Sequence, residues 1–234
     1  SMAAPRIAEI EDIVVEDSES PTGQMRVGFY THYVNSRYSC SEARYDQRKV
    51  RFFDPNGSVH EVEIDSRIEP LDIYHSQYGI AVSDEHDCFF ISSWLKGVYC
   101  CDLQTGKIRW NYRLKHGNEV VVYPDFVLCV FQEIGLRKLS YAGEEIAKYP
   151  STTYNVFDWL EDPYVFIGPN RDAYLIVDVS TMQLVRRIRK SSFTKPDDEL
   201  IILNAKGNLE QIRISGFKNG ERFGQTINIQ QLNG

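Results

Sequence analysis

The chain has 234 residues, 42% of them hydrophobic and 12% aromatic, which is ample for a packed core and inconsistent with global disorder. Its formal charge is −7, with 33 Asp and Glu against 26 Lys and Arg. A general phosphate-backbone binder needs a basic surplus, so nucleic acid is not expected as a partner; a basic protein partner is.

The five cysteines, Cys40, Cys88, Cys100, Cys101 and Cys129, are odd in number and irregular in spacing. They make neither a disulfide framework nor a paired zinc-ligand pattern, and read as buried thiols in a reducing compartment. No basic-then-apolar leader is present, and no apolar run approaches the ~20 residues of a spanning helix. The expectation is a cytoplasmic monomer without a membrane partner. Ser1 and Met2 read as a cloning remnant ahead of the original start.

Residues 1–24 form an acidic lead-in arm, with Glu9, Glu11, Asp12, Glu16, Asp17 and Glu19 around Ile10, Ile13, Val14 and Val15. From Met25 onward the chain reads as strand, turn, strand through residue 234. Residues 25–34 alternate as a strand, and the polar stretch 35–46 reads as a long loop. Residues 49–54 and 58–64 are strands around Pro55-Asn56-Gly57, where Pro presets φ and Asn or Gly tolerates positive φ. Strands at 71–83, 88–93, 98–103 and 107–114 surround Gly106. Those at 119–123, 126–131, 136–141 and 145–149 surround Gly143. Those at 153–158, 164–167, 173–179 and 183–188 surround Met182, and those at 199–203, 208–214 and 221–229 surround Gly220. No window of a dozen residues carries helical periodicity.

The turn positions Gly57, Gly106, Gly143, Met182 and Gly220 are spaced by 49, 37, 39 and 38 residues. A period near forty is that of four-stranded propeller blades, and the longer first spacing places an insertion within residues 65–84. Residues 97–110 carry the clearest repeat. Val98, Cys100 and Leu103 are apolar, Asp102 opens the turn, Thr105-Gly106 makes it, and Ile108 and Trp110 restart the alternation. This stretch resembles the outer hairpin of quinoprotein-like (PQQ-like, WD40-like) β-propeller repeats. Residues 174–185 are partly similar, keeping Asp178 and Thr181 but placing Met182 where the repeat has Gly. The resemblance implies an all-β fold, a single β-propeller of about five four-stranded blades, with Trp110 largely buried between blades. Paired small β-sandwiches are the rival fold.

The quinone cofactor of the larger relatives is not carried over, because neither their calcium site nor their tryptophan platform has a counterpart in this sequence. None of His32, His60, His75, His86 and His116 stands at a helix-borne metal spacing, and no phosphate loop or nucleophile elbow occurs. No cofactor, metal or catalytic residue is expected. Tyr30, His32, Tyr33, Arg37 and Tyr38 cluster near one loop and are the candidate protein-binding residues, Tyr and Arg being enriched at hot spots. The expected function is a non-catalytic module that binds a basic protein, by analogy with immunity proteins. The alternative is a carbohydrate-active or small-ligand propeller, with Asp72, His75, Tyr123 and Asp158 lining an axial pocket and two carboxylates dividing acid and base roles.

Overall fold

The computed structural model describes residues 24–27, 30–33, 36–44, 48–69, 80–150 and 156–232, with the backbone alone at 24–27, 30–33 and 44. Among the described residues, twenty strands build five antiparallel sheets. The first sheet holds β1 (Gln24–Val27), β2 (Tyr30–Tyr33), β3 (Cys40–Arg44), β4 (Lys49–Phe53) and β5 (Val59–Glu63). The second holds β6 (Ile80–Ser83), β7 (Cys88–Ser93), β8 (Gly97–Asp102) and β9 (Ile108–Tyr112). The third holds β10 (Gly117–Val122), β11 (Val127–Phe131), β12 (Gly135–Leu139) and β13 (Glu145–Pro150). The fourth holds β14 (Val156–Trp159), β15 (Tyr164–Asn170), β16 (Ala173–Asp178) and β17 (Gln183–Arg189). The last holds β18 (Leu200–Gly207), β19 (Gln211–Lys218) and β20 (Glu221–Asn228). Within every sheet the strands follow chain order.

Three sheets have the expected four strands; the first has five and the last three. The stretch 35–46, expected as a loop, contains β3. Its polar sequence hides a strand whose Cys40, Ser41 and Glu42 are all buried, Ser41 Oγ donating to the Ile80 carbonyl at 3.2 Å. The described residues of the stretch 25–34 fall in two short strands paired with each other, where one was expected. Half of the span expected to hold the insertion, residues 70–79, lies outside the described residues, as does the acidic arm apart from Gln24.

All five turn positions named from the sequence sit at sheet corners with left-handed backbone: Gly57 at φ 90°, Gly106 at 73°, Gly143 at 86°, Met182 at 56° and Gly220 at 78°. Glycine occupies that region without steric cost, which makes it the corner residue at four of the five. Met182 adopts it with a side chain, helped by Asp178, whose Oδ1 accepts the Ser180 N–H at 2.8 Å.

The chain divides into two compact units, Ser1–Gln132 with Leu136–Lys148, and Glu133–Gly135 with Tyr149–Gly234. In the first unit, the first and second sheets share a core that includes Tyr38, Phe52, Val62, Ile68, Phe89, Ile91 and Cys101. The opposite face of the second sheet turns to the third, where Phe90 lies 5.9 Å from Trp110 and 6.1 Å from Tyr141. Strands β7 and β11 are therefore buried on both faces, β11 as an unbroken apolar run and β7 as an apolar run closed by Ser92 and Ser93, whereas the outer strand β9 is partly buried and β13 mostly exposed. In the second unit, the last two sheets share a core of Phe166, Tyr174, Ile188, Ile202, Ile212 and neighbours.

Polar side chains tie neighbouring sheets together. Asp65, just past β5, accepts the Ile108 N–H of the second sheet at 2.9 Å, and His60 Nε2 bonds the Leu103 carbonyl at 2.8 Å. Trp110 donates its indole N–H to the Tyr141 carbonyl at 2.9 Å. Its ring lies over Gly143, where an added Cβ would stand 2.7 Å from the ring. Trp110 thus occupies the expected place between sheets, but only partly buried, because β9 is an outer strand. Among the described residues no helix is long and apolar enough to cross a membrane.

Candidate functional site

Of the binding residues expected from sequence, Tyr30, His32 and Tyr33 lie on β2, and their side chains fall outside the described residues. Arg37 is exposed, its guanidinium 4.9 Å from the Tyr38 ring. Its backbone N–H donates to Asp84 Oδ2 at 2.6 Å, and Ser36 Oγ bonds the same carboxylate. Tyr38 itself is 1% exposed, packed 5.3 Å from Phe52; its ring belongs to the first core rather than to a binding face. The polar composition that put Tyr38 on a loop missed that the ring turns inward ahead of β3.

Asp72 and His75 lie outside the described residues. Tyr123 is buried, its ring stacked 4.5 Å from Phe126, its carbonyl accepting the Tyr141 O–H at 2.6 Å. Asp158 is 2% exposed on β14 and accepts two backbone N–H groups, from Trp159 at 2.9 Å and Ala205 at 3.0 Å. That arrangement docks the fourth sheet on the last, a structural use of a carboxylate. Tyr123 stands in the first unit and Asp158 in the second. Among the described residues no three His, Cys, Asp or Glu converge as a metal site.

One polar-aromatic cluster does form on the turns of the second and third sheets. His86 stacks on Tyr141 with centroids 3.4 Å apart and planes 6° from parallel, and its Nδ1 lies 3.1 Å from Ser83 Oγ. Arg109 clamps that turn through the carbonyls of His86 and Asp87 while pairing with Asp102. The Arg109 guanidinium holds the Asp102 carboxyl at about 2, below the ordinary carboxylate range. Burial pushes the Tyr141 phenol up. Ser83 Oγ also accepts the His86 backbone N–H at 3.4 Å, so the Ser–His contact is the closure of a tight turn.

The feature that sequence reasoning missed is the tip of the β7–β8 hairpin, Ser93-Trp94-Leu95-Lys96-Gly97. Leu95 is 58% exposed, the highest value among the exposed large apolar side chains of the described residues. The tip is held from several sides. Ser93 Oγ accepts the Lys96 N–H at 3.1 Å, the Trp94 carbonyl accepts the His116 N–H at 2.7 Å, and Asn111 Nδ2 donates to the carbonyls of Lys96 and Val98. The Trp94 ring stacks on His116 at 4.5 Å. Gly97, at φ 90°, packs so tightly that a Cβ would run into the Tyr112 carbonyl oxygen, and a Cβ on Gly117 would meet the Ser93 carbonyl. Residues 111–117 therefore run alongside the tip and fix it. The only sequence signal is Trp94-Leu95 between a buried strand and a glycine, a break in the alternation that a period-two reading assigns to a turn and passes over.

No protein-family model matches this chain, and no curated protein does. Solved structures match by shape. BamB from Moraxella catarrhalis is similar with a TM-score of 0.52 and 12% identity, over 82% of this chain and 58% of that one. The chain thus spans little more than half the length of BamB. The computationally designed Ika8 protein is similar with a TM-score of 0.51 and 10% identity, over 87% of this chain and 70% of that one. At such identities the likeness concerns the fold alone. Since BamB has a PQQ-like β-propeller fold, the five all-β sheets of this chain are those of a propeller-like protein.

Proposed function

We propose that this chain is a non-catalytic protein-interaction module that presents the Trp94–Leu95 tip to its partner. The observation that carries the reading is an apolar side chain 58% exposed on a hairpin locked by hydrogen bonds from two directions. Exposed leucines are common singly, but one set beside a Trp on a rigid support has the makings of a hot spot. Rigidity favours binding, since the loop has already lost the freedom that association would otherwise remove. Immunity proteins, which neutralise other proteins by covering them, are one class that such a module fits.

The test is Leu95→Asp. Because Leu95 is exposed, the substitution should leave the melting temperature unchanged, with a stability effect within about 0.5 kcal/mol. Wild type and variant, each coupled to resin, are exposed to lysate of the native host and compared by quantitative mass spectrometry. The expected result is a protein enriched about tenfold or more on wild type and lost on the variant, matching the ~1.4 kcal/mol or more of a hot-spot residue. Identical capture profiles would overturn the reading.

A further inference from the structure

We infer that the tip docks an acidic segment carrying an apolar anchor; this rests on the reading of the tip as the binding site. The two segments that build the surface are residues 93–97 and 111–119. They contribute three cations, Lys96, Arg113 and Lys115, and the imidazole of His116; Arg113 and Lys115 are exposed. The one carboxylate within these segments, Glu119, is buried at 3%. Outside them, Glu145 accepts the Tyr112 O–H at 2.7 Å but is itself faced by Arg137 at 3.6 Å, and Glu133, exposed and next to Gln132 in the chain, is a further negative charge against the three. The apolar centre is Leu95 beside Trp94, and the cations flank it because residues 111–117 run along the tip. His116 holds Trp94 by both its backbone N–H and its ring, and Gly97 abuts Tyr112 and Leu114.

The formal charge of the whole chain, −7, points the other way, to a basic partner. Distance decides between the two. At physiological salt the screening length is ~8 Å, so a docked segment feels the charges beside it far more than the sum over the molecule. Net charge acts on encounter at low salt; the surroundings of the tip select what seats there. An apolar side chain against Leu95 and Trp94, flanked by Asp or Glu facing Lys96, Arg113 and Lys115, is the complementary ligand. A basic segment would bring like charges together around the same anchor, which disfavours it.

The experiment is selection of a displayed random-peptide library on the intact immobilised chain. It is run in parallel on Leu95→Asp and on the double variant Lys96→Glu/Lys115→Glu, each first shown to melt like wild type. Enriched peptides are synthesised and their Kd measured at low and physiological salt. The inference expects acidic peptides with a central Leu, Phe or Trp. Binding should be lost on Leu95→Asp, weakened about tenfold or more by the charge reversal, and weakened again by added salt. Basic peptides that still require Leu95 would overturn the charge inference while leaving the tip as the binding site. Peptides indifferent to Leu95→Asp, or no enrichment over bare resin, would overturn both.

Discussion

Trp110→Ala tests how the second and third sheets are joined. Trp110 stands on an outer strand and is only partly buried, so its packing loss should be about half of the ~3–5 kcal/mol of a fully buried aromatic, roughly 2 kcal/mol. Truncation also removes the indole N–H that the Tyr141 carbonyl accepts at 2.9 Å, for about 1 kcal/mol more. The expected total is about 3 kcal/mol, read as a shift in the urea midpoint by far-UV circular dichroism, with the slope unchanged. Trp110→Phe separates the two parts: it keeps most of the ring contact over Gly143 and should cost about 1–2 kcal/mol. Gly143→Ala attacks the same contact from the other side, through a Cβ 2.7 Å from the indole and a φ of 86° that alanine resists. A loss below about 1 kcal/mol for Trp110→Ala would refute the reasoning, since neither the ring nor its N–H would then matter.

Asp65 makes a pH-dependent tie. The Arg67 guanidinium, joined by the N–H groups of Arg67 and Ile108, holds its carboxyl well below the ordinary carboxylate range. A depressed folded-state pKa means the stabilisation is complete above the unfolded value of ~3.9 and is lost as pH falls through the folded value. Asp65→Asn should cost about 2 kcal/mol at neutral pH, and its gap from wild type should narrow steadily below about pH 4; a gap constant with pH would contradict this. Asp158→Ala orphans the Trp159 and Ala205 N–H groups and should cost about 2–4 kcal/mol in urea unfolding. Turnover of a glycoside that vanished in Asp158→Asn, with stability intact, would return that residue to the axial-pocket reading. The five buried cysteines should resist a thiol reagent in the native protein and all react after unfolding; burial pushes the Cys40 thiol up to about 12 and raises Cys101 and Cys129 likewise. A bridged peptide pair from unreduced protein would contradict it.

The corners were legible in the sequence because a left-handed corner leaves a chemical mark, a glycine or a polar turn at a fixed interval. Strands such as β7 and β8 were legible because both faces are buried and each carries a run of four apolar or aromatic residues, 88–91 and 98–101. Strand β3 was not, because it buries Ser41 and Glu42 through partners that only the fold supplies. Tyr38 shows the same limit from the other side. A tyrosine near an arginine reads as a hot spot until the chain around it folds and the ring proves to be core. Leu95 escaped because exposure at a tip has no period. Asp65 escaped because its function depends on Ile108, forty-three residues away.

Four of the ties between adjacent sheets share a chemical asymmetry. Asp65 takes the N–H of Ile108, His60 the carbonyl of Leu103, Trp110 the carbonyl of Tyr141 and Asp158 the N–H of Ala205. In each, one sheet contributes a particular side chain and its neighbour contributes only peptide backbone, which nearly any residue provides. Leu103, Tyr141 or Ala205 can change identity and the tie survives; Asp65, Trp110 or Asp158 cannot. Successive repeats are thus free to diverge on the receiving side without losing their docking. Mutational tolerance along this chain should accordingly be lopsided, permissive at the receiving positions for every residue that fits the space and, where an N–H is taken, for every residue but proline.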